Sequence, residues 1–265
     1  MTALAEAYIH LRHYQYTTSY LNEIQERAER IARPIIAGLY TEPVDLEIRI
    51  EEGSLKIWLT VFGVLGAAYH GIAVYSEFKK SITELVKDAR EFSDSILDDF
   101  LPEINATPPQ IYRTERRLKT PGKIHRIINR VEKLKDRMGG MNSQDVEIEL
   151  NKILGELYKI QKDLSEEEIK FLLSSIEIKT IELPKTPKQL KERVAALRQK
   201  HPEDFDLLEV PLNFVQARSF EALPVSAENQ NDIQPKLQMI KRVHITPSKE
   251  HMESFRKKRP LLIDE

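Results

Sequence analysis

The spacing of apolar residues along this chain changes period several times, and each change predicts a different element. From Tyr20 to Tyr40, Leu21, Ile24, Ala28, Ile31, Ile35 and Leu39 recur every three or four residues. That spacing predicts an amphipathic helix, with Pro34 kinking or interrupting it. The period then falls to two. Val44, Leu46, Ile48 and Ile50 alternate with Asp45, Glu47 and Arg49, and Leu55, Ile57, Leu59 and Val61 alternate again after Glu51-Glu-Gly-Ser54. Two half-buried strands joined by a tight turn, a β-hairpin over 44–62, are expected.

The helical period returns at Phe78, Ile82, Leu85, Ala89, Phe92, Ile96 and Phe100, which predicts a helix over 76–100. The proline-containing stretch 101–109 ends it and is the best candidate domain boundary. Beyond it, Ile124, Ile127, Ile128, Val131, Leu134 and Met138 form one apolar stripe, opened by Thr120-Pro121 and stopped by Gly139-Gly140. A second stripe follows Asn142 or Ser143, and Ser165-Glu-Glu-Glu168 starts a third, shorter helix. Short connections make 110–175 a helical hairpin or small bundle. Further on, Ile176–Leu183 alternates like a strand, Thr186-Pro187 caps a helix to about Lys200, and 205–220 and 236–245 have strand character. The expected fold class is α+β and predominantly helical. Its parts are an N-terminal unit (1–105), the helical hairpin, and a small mixed region (176–265) ending in a basic tail.

One segment departs from ordinary patterning. Ile57 to Tyr75 carries no formal charge, and Gly63, Ala67 and Gly71 lie four residues apart. On a helix they share one face and would admit another backbone closely. Nineteen residues approach the length of a membrane span. The alternation before Phe62, however, splits off a strand and leaves a short apolar helix (62–75) running into the helix over 76–100. Two roles follow for Gly63, Ala67 and Gly71: a buried packing or oligomer face, or a membrane-embedded one.

Charge adds a second candidate surface. The whole chain has a net charge of −2, so attraction to a polyanion must come from a local patch. Between Tyr112 and Met138 there are ten Lys or Arg against Glu115, Glu132 and Asp136. Within the helix, Lys123, Arg126, Arg130, Lys133 and Arg137 fall at steps of three and four, making one continuously cationic face suited to phosphates. The next helix is rich in acids (Asp145, Glu147, Glu149, Glu156, Asp163), so the same face could instead be complemented within the chain. No aromatic residues interleave with it as stacking platforms.

Catalytic chemistry leaves no signature. There is no cysteine, which excludes disulfides, thiolate metal sites and cysteine nucleophiles, and fits a reducing compartment. Walker, GxGxxG, HExxH and GxSxG patterns are absent from the sequence. His10-x-x-His13 could pair two imidazoles on a helix face but lacks a nearby acid. Asp94, Asp98, Asp99 and Glu103 cluster at a helix end, as solvated carboxylates commonly do. No cofactor or metal is expected.

The N-terminus lacks a basic segment followed by an apolar one, so a cytoplasmic protein, or one attached to a membrane from that side, is expected. The leading expectation is a non-enzymatic interaction or assembly protein, contacting a protein partner or another copy of itself through the glycine-spaced helix and the basic helix. A membrane-associated protein using 57–75 and a nucleic-acid-binding accessory using helix 121–138 are the alternatives.

Overall fold

The computed structural model describes residues 1–12, 17–52, 54–65, 75–176, 187–200, 238–247 and 253. Its elements run β1 (Thr2–Leu11), α1 (Thr18–Leu39), β2 (Val44–Glu51), β3 (Lys56–Gly63), α2 (Tyr75–Glu103), β4 (Ile111–Arg117), α3 (Lys119–Arg137), α4 (Ser143–Ile160), α5 (Glu166–Ser175), α6 (Pro187–Lys200) and β5 (Gln238–Ile245). The fold is α+β and predominantly helical, as the periodicities predict.

All strand pairs are antiparallel, in the order β4-β1-β3-β2-β5. The first four strands and two helices therefore trace a split β-α-β connectivity, with β5 added beside β2. The hairpin falls where alternation places it. Leu46 pairs with Val61, Ile48 with Leu59 and Ile50 with Ile57, all fully buried.

β1 is the central strand, and the apolar pattern did not single it out. Its core face is Ala5, Ala7, Ile9 and Leu11, and its other face is Glu6, Tyr8 and His10. Alanine has little strand preference, so the alternation there is faint. The small side chains have a structural use, because they let α2 lie directly over the strand. Ser93 Oγ donates to the Ala89 carbonyl at 2.9 Å and sits 3.4 Å from the Glu6 carbonyl.

Three expectations need correction. Pro34 does not interrupt α1, which continues to Leu39. The carbonyl that loses its partner there belongs to Arg30, on the solvent side, where water can replace the missing donor. Phe62 and Gly63 belong to β3 rather than to a helix over 62–75. His10 lies on β1, so the HxxH helix face does not form, and His13 is outside the described residues. The segments 66–74, 177–186 and 205–220 are likewise outside them, whereas β5 and α6 appear near their predicted positions.

Residues on the two sides of the proline-containing stretch share one sheet, because β4 pairs with β1. They also share one core. Ile124, Ile127, Ile128 and Val131 of α3 join Phe78, Phe92 and Phe100 of α2 in a single buried cluster. At the far end, Glu168 in the capping box of α5 fastens the helical layer to the sheet. It accepts from Ser165 N and Leu65 N, both at 2.8 Å, and Thr2 Oγ1 lies 3.0 Å away.

Candidate binding surface

α3 is held by its apolar stripe, which packs against α2 and β1 on one side and α4 on the other. α2 and α3 run antiparallel. Tyr75 Oη donates to Glu132 at 2.7 Å, Lys79 Nζ lies 3.1 Å from the same carboxylate, and further along α2 Asp94 pairs with Arg116, just before α3. Those contacts hold the Glu132 carboxyl below its usual range: the Tyr75 hydrogen bond lowers it most, burial opposes, and Lys79 adds to the lowering. Between these points His125 is depressed, first by burial and then by the positive charges of Arg90 and Lys79.

Most of the cations between Tyr112 and Met138 are spent inside the molecule. Arg113 pairs with Glu115, Arg116 with Asp94, and Arg117 with both Glu6 and Glu115. Lys119 pairs with Glu6 at 2.8 Å, Lys123 with Asp163 at 2.5 Å and Arg130 with Glu156 at 2.7 Å. Lys135 lies 4.0 Å from Glu132 and 4.4 Å above the Tyr75 ring.

Arg126, Lys133 and Arg137 are left. All three are exposed and make no ion pair among the described residues; Arg126 reaches only the Gly122 carbonyl, at 3.4 Å. They stand at i, i+7 and i+11, on one line along the outer face of α3. Glu156 of α4 and Asp163 just beyond it thus pair with the flank of the predicted basic face, while the crest makes no ion pair among the described residues; Glu149 of α4, held low mainly by Lys152, feels Arg137 at longer range.

The sheet surface away from α1 and α2 is a second polar region, and it is closed on itself. Cross-strand register aligns Arg117, Glu6, Thr60, Glu47 and Arg242 in one row. The next row is Glu115, Tyr8, Trp58, Arg49 and Ile240. Glu6 is 5% exposed and receives Thr60 Oγ1 at 2.9 Å and Arg117 Nη1 at 2.8 Å, besides Lys119. Burial pushes its carboxyl up, but Lys119, Arg117 and Thr60 together outweigh that and hold it below the usual range.

Arg117 stacks 4.5 Å from the Tyr8 ring centre and Arg49 4.0 Å from that of Trp58. Tyr8 and Trp58, 7% and 8% exposed, are therefore capped by their own neighbours. At the margin an aromatic ring stands clear: Tyr112, 65% exposed, meets His10 edge-on.

The other predicted residues fall elsewhere. Gly63 ends β3 opposite Thr2 and is buried. A Cβ there would come within 2.7 Å of Leu4 Cδ1 and 3.3 Å of Val44 Cγ1, so its bareness serves strand-end packing. Ala67 and Gly71 are outside the described residues.

Asp94 is taken by Arg116, and Glu103 by Arg30 at 2.5 Å. No group of three or more metal-ligating side chains occurs among the described residues. No helix among them is long and apolar enough to cross a membrane.

Sequence reasoning missed two exposed cations on the solvent side of α2, Lys87 and Arg90, which also make no ion pair among the described residues. In the sequence they look like ordinary amphipathic spacing. Only the packing of α2 beside α3 brings them to the Arg126 end of the crest. Comparison with protein-family models, with curated proteins and with solved structures finds no match to this chain.

Proposed function

We propose that this chain is a non-enzymatic interaction module that takes a polyanionic partner on the outer surface of α3. The observation that carries this is the line of Arg126, Lys133 and Arg137, exposed and making no ion pair among the described residues after the neighbouring cations have been neutralised internally. This helix crest spans about 16 Å (eleven residues at ~1.5 Å each) and its cations make no ion pair among the described residues. It supplies attraction that the net charge of −2 does not. The glycine-spaced segment supports an assembly role less, since Gly63 is occupied in packing the sheet end.

Retention on immobilised heparin at low salt is the direct test. The wild type should bind, and Arg126→Glu/Lys133→Glu/Arg137→Glu should flow through with an unchanged melting temperature. A matched triple reversal on other helices, Arg33→Glu/Lys170→Glu/Lys188→Glu, removes the same charge and should leave retention intact. Equal loss in both triples, or no wild-type retention, refutes the assignment.

A further inference from the structure

Building on the cationic-surface assignment, we infer that the polyanion is the phosphate backbone of a nucleic-acid duplex, read without sequence preference by two rows of cations, one on α3 and one on α2. The α3 row is Arg126, Lys133 and Arg137. The α2 row is Lys87 and Arg90, both exposed and on the solvent side of the helix packed beside α3. Because α2 and α3 run antiparallel, with Lys79 beside Glu132 and Asp94 beside Arg116, Lys87 and Arg90 fall beside the Arg126 end of the α3 row. Four acids on the solvent sides of the same two helices also make no ion pair among the described residues, Glu77, Glu91 and Asp98 on α2 and Asp136 on α3, so against the five cations the surface keeps a small net positive charge.

Three properties of this patch select the partner. The first is what it lacks. Among the described residues the exposed large apolar ones are Met1, Tyr20, Val64, Tyr112, Ile148 and Ile240, none on the outer faces of α2 or α3. A protein interface draws its energy from buried aromatic and aliphatic anchors, and this surface offers none. An interfacial membrane helix lays its apolar face into lipid, but the apolar stripe of α3 (Ile124, Ile127, Ile128, Val131, Leu134) is committed to the core. Binding must therefore come from charge alone.

The second property is shape. Packed helix axes lie about 8–10 Å apart, so the two rows present charge across a width as well as along a length. A duplex offers phosphates on two strands, one charge per ~1.7 Å of axis, hence about ten along the α3 crest. A single strand offers only one row, and no exposed ring lies among the five cations to hold its bases. Third, two of the three α3 cations and one of the α2 pair are arginine, whose planar fork suits phosphate oxygens.

Titrating the full-length protein into a labelled mixed-sequence DNA duplex at several salt concentrations tests this. Each phosphate contact contributes about −0.9 to the slope of log affinity against log salt, so five contacts predict a slope near −4.5, or roughly 500-fold between 50 and 200 mM salt. Lys87→Ala/Arg90→Ala should reduce the slope to about −3 and weaken binding at low salt, while the melting temperature stays constant.

Retention on heparin without duplex binding would overturn this inference and leave the broader cationic-surface proposal standing. So would single-stranded DNA binding as tightly as duplex, or phosphatidylserine vesicles binding in its place. A slope indifferent to Lys87 and Arg90 would also overturn the two-row arrangement. Failure on heparin as well would remove both.

Discussion

The open face of the sheet and the outer face of the α2–α3 pair are built from the same kinds of residue, yet they end in opposite electrostatic states. On the sheet, strands lie about 5 Å apart, so a carboxylate on one strand meets a cation on its neighbour, and the charges within a row cancel. Arg117 and Glu6 pair this way across β4 and β1, and Arg242 and Glu47 across β5 and β2. On a helix, only the residues at the flanks meet another element. Lys123 and Arg130 lie at the flank and find Asp163 and Glu156, whereas Arg126, Lys133 and Arg137 stand on the crest and make no ion pair among the described residues. Local charge in a sequence therefore says little about free charge on a surface until the pairing geometry is known.

Breaking the sheet cluster should produce the largest effect on stability. Glu6→Ala removes the buried hub of Arg117, Lys119 and Thr60. About 2–3 kcal/mol is expected, because the two cations lose a buried partner but are themselves partly open to water. Calorimetry should show a melting temperature lower by about 5–8 °C, with heparin retention preserved; a change in the opposite pair of observables would invert the comparison.

The same cluster sets an acid dependence. The folded-state pKa of Glu6 is depressed, so its stabilisation is complete above the unfolded value and is lost as pH falls through the folded one. Wild type should therefore lose stability more steeply than Glu6→Gln once pH drops below about 4.5; parallel curves for the two would remove Glu6 as the source.

How much of this was legible in the sequence depends on whether a residue's partner is near in the chain. The hairpin 44–62 and helix 76–100 are visible because alternation and three-four spacing record burial locally. β1 and β4 are not. β1 gets its strand identity from lying between β3 and β4, and its alanines record the closeness of α2 rather than a propensity. β4 (Ile111–Arg117) carries three arginines and reads as a basic loop until Glu6, Glu115 and Asp94 are placed around it.

The basic face of α3 was readable as a stripe, and its acidic complement on α4 was readable as a possibility. Which members remain free was not, because that depends on which flank α4 occupies. Lys87 and Arg90 carried no signal, since their place beside α3 is a tertiary fact.

A smaller effect should appear at the joint between the two regions. Lys119 has φ 39°, a left-handed conformation that side chains with a Cβ adopt at a cost, and its Nζ reaches Glu6 at 2.8 Å. Lys119→Ala and Lys119→Gly both lose that ion pair, but glycine relieves the backbone. The glycine variant should be more stable than the alanine variant by about 1 kcal/mol in urea unfolding. Equal stabilities would mean that the backbone at Lys119 holds no strain for glycine to relieve.

The smallest stability effect, and the sharpest use of the comparison, comes from freeing a flank cation. Glu156→Gln leaves Arg130 without its carboxylate, in a seam where both side chains are about one-third exposed (38% and 33%). An ion pair so open to water contributes less than about 1 kcal/mol, so the melting temperature should hardly move. Arg130, however, stands one turn from Arg126 and adjoins the crest. Released, it adds a fourth cation to the α3 row and should steepen the salt dependence of duplex binding by about 0.9, in the same titration used for Lys87 and Arg90. A substitution that removes a contact would then strengthen binding, because neutralisation by α4, rather than distance from the ligand, is what keeps Arg130 out of the patch. An unchanged slope would place the bound duplex away from the α4 side of the crest.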